Sequence, residues 1–233
     1  MIESSSVTSK PRLILASNSP RRRQLLARSD WEFQVIAADV DESQHLNESP
    51  ADYVLRLAET KTRAIPVQAN QIVLAADTAV VDGSDTLGKP KDNAEAFAML
   101  TRLRGHTHQA YTGVALLRQS DGLLLKELSI TDVPMRDYSD EEIHAYIQTG
   151  DPLDKAGAYA IQHPSFQPVA SLEGCYTSVM GLPICYVVRM MRKMDFLFRS
   201  DVPEQCQMML KYQCPVSYAT LRPAKRGSNL SRG

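Results

Sequence analysis

Short apolar runs set off by turn residues alternate along this chain with segments whose apolar positions recur every third or fourth residue. That is the pattern of strands interleaved with amphipathic helices. Residues 13–16 (LILA) and 72–76 (IVLAA) are continuous apolar runs, as expected of strands buried on both faces. Residues 31–38 predict a further strand. Residues 106–118 and 123–136 predict two longer ones, joined by the hairpin signal Ser120-Asp121-Gly122. Ser17-Asn18-Ser19 followed by Pro20 has the chemistry of a helix start, since proline loses nothing at the first helical position. Ser49-Pro50 opens a second helix running to about residue 70, with Pro66 ending or kinking it and a stripe of Val54, Ala58 and Ile65. A third spans 92–104, buries Ala96, Phe97, Leu100 and Leu103, and stops at Gly105. A fourth spans 139–148, with Ser139 and Glu142 spaced as a capping box and Ile143, Tyr146 and Ile147 facing inward. A last helix follows Gly181-Leu182-Pro183 and ends near residue 194. The class is α/β. Residues 1–11 read as a flexible leader, 12–194 as one domain, and 195–233 as a polar, poorly ordered tail.

Composition narrows the chemistry. The chain has 233 residues, 43% of them hydrophobic, enough for one sizeable core. Its formal net charge of -1 gives no bulk attraction to nucleic acid or an anionic membrane, so any anion site must be local. No apolar run is long enough to span a bilayer, and MIESSSVTSKPR lacks the apolar centre of a secretory signal. A cytoplasmic location is expected. The four cysteines, Cys175, Cys185, Cys206 and Cys214, form no C-x-x-C pair and read as reduced thiols.

The candidate chemistry lies at the ends of the apolar runs. Asp77 closes the run at 72–76, and Lys89 follows within the same strand-loop unit. Asp77 is either a tuned carboxylate or the cap of the next turn. Arg21, Arg22 and Arg23 crowd the positive end of the first helix, which is unfavourable unless an anion sits among them; the other reading is a solvated basic turn. Asp39, Asp41 and Glu42 are either a solvated loop or a divalent-cation site. Lys61 falls on the apolar stripe of the second helix, either snorkelling outward or aimed inward at an anion. The Gly and Ala residues of DPLDKAGAYAIQH, with Asp154, Lys155 and Gln162, suit close approach of backbone to a ligand. Residues 83–89 imitate the front of a P-loop. However, Pro90 stands where that motif needs a hydroxyl for magnesium, and no helix follows at once.

Taken in order, LILASNSPRR, DVDE, RLAETK, AADT, GKP, TGV, DKAGAYAIQ and MGLP resemble the Maf family of nucleoside triphosphate pyrophosphatases over residues 12–194. The resemblance implies an inosine-triphosphate-pyrophosphatase-like fold: an elongated mixed sheet flanked by helices, with two lobes around a deep cleft. It implies that Asp77 is the proton acceptor that activates water at the α-phosphorus. It further implies that Ser17, Ser19, Arg22, Lys61 and Lys89 bind the triphosphate, and that Glu42, with Asp77, holds Mg²⁺ or Mn²⁺. Arg21, Thr78 and Gln162 match the positions tied to base choice. A homodimer is implied as well. The sister subfamily, which prefers 7-methyl-GTP, typically has Trp after SP, DQ for DT and HCAGSF for DKAGAY. This chain has Arg21, Thr78 and DKAGAY, the dTTP/UTP pattern, for ordinary or modified pyrimidine nucleotides. The alternatives are a non-catalytic nucleotide-binding regulator of cell division and an enzyme for a modified purine such as 7-methyl-GTP. One departure stands beside Gln162: the family's IQG is here Ile161-Gln162-His163-Pro164.

Overall fold

The computed structural model describes residues 11–196, except 30, 67 and 69, and residues 201–221. Residues 1–10 of the expected leader (1–11), and 197–200 and 222–233 of the expected tail (195–233), lie outside the described residues. The strands are β1 (Arg12–Leu15), β2 (Phe33–Val35), β3 (Gln71–Asp82), β4 (Asp85–Leu87), β5 (Thr107–Arg118) and β6 (Leu124–Pro134). The helices are α1 (Pro20–Ala27), α2 (Pro50–Arg63), α3 (Asn93–Leu103), α4 (Asp140–Gln148), α5 (Tyr176–Val179), α6 (Ile184–Lys193), α7 (Val202–Leu210) and α8 (Ser217–Leu221). One mixed sheet runs β2-β1-β3-β5-β6, with β4 paired to β3. β1 is parallel to both β2 and β3, while β5 is antiparallel to β3 and β6.

The caps form as the sequence dictates. Ser19, Ser49 and Asp92 each accept a backbone N–H of the first turn of their helix, and Ser139 with Glu142 closes a reciprocal capping box. Three boundaries differ from expectation. The strand expected at 31–38 contracts to Phe33–Val35, which among the described residues pairs with β1 alone, at the edge of the sheet. α2 stops at Arg63, short of residue 70, because Pro66 disfavours helical backbone just ahead of it. Beyond 195, α7 and α8 pack on the domain where no periodicity announces them. Arg189 of α6 donates to Glu127 of β6 and, at 3.0 Å, to the Thr220 carbonyl of α8.

The sheet carries buried clusters on both faces. One face of β1 and β3 (Leu13, Leu15, Ile72, Leu74, Ala76) packs with α1 and α6 through Leu25, Leu26, Val187 and Val188. A second cluster joins Val80, at the far end of β3, to α3 and α4 through Leu100, Leu103, Ile143 and Tyr146. The opposite face of β1 and β3 (Ile14, Val73, Ala75) packs with Ile65, just past the end of α2.

β3 is the element that matters most for function. Asp77 ends the apolar run but not the strand: Thr78 to Val81 continue the extended character, as their sequence leads one to expect, and the strand stops at Asp82, before the Gly83 turn. β5 covers one edge of β3 from Ile72 to Val81. The other edge is shared. β1 pairs there with residues 71–74 and β4 with residues 80–82. Between them, residues 75–79 meet no strand on that edge among the described residues. The sheet is open there, between its two large clusters.

Candidate active site

The opening leads into a cavity of about 550 Å³. Ser17, Ser19, Arg21, Arg22, Glu42, Lys61, Asp77, Thr78, Lys89 and Gln162 all line it. Residues spread from 17 to 162 thus share one hollow.

Strand alternation separates two neighbours. Asp77 points to the α2 face and Thr78 to the other, and both reach the cavity because the sheet is open beside them. On the α2 side, Gly113 lies opposite Asp77 across β5. A Cβ on Gly113 would stand 2.5 Å from the Val54 carbonyl oxygen, so glycine here lets α2 lie directly on the sheet. Lys61 lies two turns beyond Val54 on the same helix face. Its ammonium therefore descends onto Asp77 Oδ1, at 2.5 Å. It also meets Glu42 Oε1 at 2.7 Å. Lys61 is only 6% exposed and Asp77 8%. The lysine of the apolar stripe is therefore aimed inward, not snorkelling. Burial pushes the Glu42 carboxyl upward, but the hydrogen bond and charge of Lys61, with Lys89 and Arg22, outweigh it and hold Glu42 below its ordinary value.

On the opposite side, Arg22 Nε donates to the Gly181 carbonyl at 2.8 Å, and Nη2 donates to Thr78 Oγ1 at 3.2 Å. Thr78 Oγ1 is 3.0 Å from Thr112 Oγ1, which donates to the Ser178 carbonyl at 2.9 Å. Loss of water around the Arg22 guanidinium lowers its pKa from the ordinary value; Asp77 works against that and Arg21 with it. Ser17 Oγ accepts the Ser19 N–H at 3.1 Å, and Ser19 Oγ accepts the Arg22 N–H at 3.4 Å. The serines thus build the turn that presents the arginines.

The remaining expected residues stand apart from the Lys61 pair. Lys89 is exposed, just past β4. Arg21 reaches Asp154 at 3.7 Å. Asp154 is gripped at 2.5 Å by Lys155, whose buried ammonium also meets Asp151 Oδ1 at 2.9 Å. The His163-Pro164 departure has a structural consequence. His163 Nδ1 accepts the Phe166 N–H at 3.0 Å, and Phe166 stacks on Tyr146 with ring centroids 4.4 Å apart. An aromatic cluster therefore backs the wall that holds Gln162. The P-loop look-alike is the hairpin between β3 and β4, with Gly83 at its positive-φ turn.

Some cavity residues escaped the sequence reading. Tyr53 donates its hydroxyl to the Glu42 carbonyl at 2.8 Å; burial, together with the Asp77 and Glu42 charges, pushes its pKa up to about 12. It lies two turns before Lys61, a spacing that could have revealed it. TGV and MGLP mark the positions of Gly113 and Gly181, but their roles as points of close approach depend on partners far away in the chain, which no local signal reveals.

A buried carboxylate facing clustered cations across an opening in an α/β sheet has the charge and shape that suit a polyanionic ligand. The family model described as Maf-like protein matches residues 12–194. A dTTP/UTP pyrophosphatase of Geobacter sulfurreducens is 45% identical over 190 residues, covering 81% of this chain and 99% of that protein. One from Hahella chejuensis is 44% identical over 194 residues, covering 82% and 96% respectively. A nucleoside-triphosphatase / dITP/XTP pyrophosphatase from Mycobacterium abscessus, known as a crystal structure, is 12% identical with a TM-score of 0.38, over 79% of this chain and 97% of that one. That likeness is too distant to bear on function. The chain belongs to the Maf family.

Proposed function

We propose that this chain is a nucleoside triphosphate pyrophosphatase that cleaves dTTP and UTP between the α- and β-phosphates, releasing the monophosphate and pyrophosphate. The observation that carries this reading is the placing of Asp77. Its carboxylate is buried at the open edge of β3, fixed through Oδ1 by Lys61, and shares one cavity with Arg22 and Lys89. Lys61 orients Asp77 so that Oδ2 takes a proton from the attacking water. Arg22, Lys89 and the Ser17–Ser19 turn hold the triphosphate, whose leaving pyrophosphate carries heavy negative charge. The names of the relatives support the substrate.

The donor set fits a hard divalent cation. Glu42 and Asp77 supply two carboxylates, and among the described residues no group of three or more acidic, histidine or cysteine side chains is arranged to hold a metal. Glu42 and Asp77 would hold Mg²⁺ or Mn²⁺ through their carboxylate oxygens. Bound there, it would supply charge neutralisation of the triphosphate. Arg21, Thr78 and Gln162 set base choice, with Thr78 acting through the Arg22 and Thr112 contacts that fix it. The reading carries with it the cytoplasmic location and homodimer of the family resemblance. Among the described residues, no helix is long and apolar enough to cross a membrane.

The test is a panel of nucleoside triphosphates, each with Mg²⁺ or Mn²⁺. dTTP and UTP yielding monophosphate and pyrophosphate is the expected result. Preference for a purine triphosphate, or tight binding without turnover, would overturn it.

A further inference from the structure

The nucleotide site uses none of the four cysteines, yet all four line one small cavity beside α5, α6 and α7. All are free thiols. Two are neighbours there: Cys214 Sγ lies 3.9 Å from the carbonyl oxygen of Gly174, the residue just before Cys175. Cys175 is buried at the N-terminal end of α5, and Cys214 is half-buried in the segment between α7 and α8. The backbone on both sides is pinned. The Tyr212 hydroxyl accepts the Gly174 N–H at 3.2 Å and lies 2.9 Å from the Leu172 carbonyl. Gln207 Oε1 accepts the Cys214 N–H at 2.9 Å.

We propose that Cys175 and Cys214 are an oxidisable thiol pair that hydroperoxides convert to a disulfide, fastening the segment after α7 to the loop ahead of α5. Accessibility sets the order of events. The Cys214 thiolate attacks the peroxide: an S–O bond forms, the O–O bond breaks, and hydroxide leaves and takes a proton from solvent. The Cys175 thiol then attacks the sulfenic sulfur. An S–S bond forms, the S–O bond breaks, and the hydroxyl departs with the thiol proton as water. Two thiols lose two electrons and one peroxide becomes two waters. The Cys175 thiol and the backbone N–H groups of Val216 and Ser217 hold Cys214 below the ordinary thiol value, while Cys175 is pushed up by Cys214 and by burial. That split suits an attacking and a resolving partner.

The experiment treats the reduced full chain with equimolar hydrogen peroxide, then alkylates it in denaturant and maps the thiols by mass spectrometry. The expected product has lost two hydrogens, carries a 175–214 cross-linked peptide, and alkylates only at Cys185 and Cys206. Dithiothreitol restores all four sites. Cys206→Ser keeps the cross-link, while Cys214→Ser, at the more exposed position, abolishes it. In the unmodified protein the reaction rate rises less steeply with pH than that of an ordinary cysteine, because Cys214 is held below the ordinary thiol value. Four alkylatable thiols after treatment, or a bond joining Cys175 to Cys185 or Cys206, would overturn the proposal. So would stoichiometric zinc in the purified protein that thiol modification releases.

Discussion

Asp77 and Lys61 meet at 2.5 Å and both are buried, so removing one does more than delete a contact. A positioned general base contributes about 10²–10⁴-fold to rate. Asp77→Asn is therefore expected to keep the fold and lose roughly that factor in kcat; an unchanged kcat for dTTP would contradict the assignment. Lys61→Met leaves Asp77 and Glu42 facing each other without their shared ammonium. An uncompensated buried charge costs about 3–5 kcal/mol. Glu42 is about half exposed, which reduces its share, so a loss near the lower bound is expected in urea unfolding, along with lost turnover. A midpoint equal to that of the parent would show that the pair is not coupled. At this scale the sequence was legible in its charges. A lysine on an apolar stripe, an acid on a buried strand and arginines at a helix start each violate a local preference, and the structure brings them to one cavity. The partner each would take was not legible, because Lys61 and Asp77 lie far apart in sequence and share no periodicity.

The open edge of β3 explains how one strand serves both walls of the cleft. β1 leaves after residue 74 and β4 joins at residue 80, so Asp77 and Thr78 reach a common cavity from opposite faces. Gly113 sets the height of α2 above this region. Gly113→Ala drives a methyl carbon against the Val54 carbonyl, where a glycine Cβ would stand 2.5 Å away. Overpacking of this kind costs about 1–3 kcal/mol. It also lifts Lys61 away from Asp77, so kcat is expected to fall even where the variant remains folded. A stable variant with full activity would mean that the α2 height does not control the pair. The sequence marks the strands and their caps well, because apolar runs and Ser/Asp caps are local signals. It marks their ends poorly. α2 stopped at Arg63, β2 shrank to an edge, and α7 and α8 are short helices whose stability comes from docking on the domain.

Across the whole molecule, two buried clusters flank the cavity, and acid should loosen one of them. His108, in β5, is buried and its Nε2 is 2.9 Å from the Tyr159 hydroxyl. Burial depresses its pKa from 6.5 to about 4. Because the folded value lies below the unfolded one, this group favours the folded state fully above pH 6.5, and that contribution is lost as pH falls toward 4. The loss should reach roughly 2–3 kcal/mol. Urea midpoints measured at neutral pH and near the lower value should drop less in His108→Gln than in the parent; equal drops would place the acid sensitivity elsewhere.

The central claim is that water, activated by Asp77, attacks the α-phosphorus of a pyrimidine triphosphate. Turnover of dTTP in heavy-oxygen water tests it most directly. The account predicts that the label appears in dTMP and the pyrophosphate stays unlabelled. Label in the pyrophosphate, or products that are dTDP and inorganic phosphate, would contradict it.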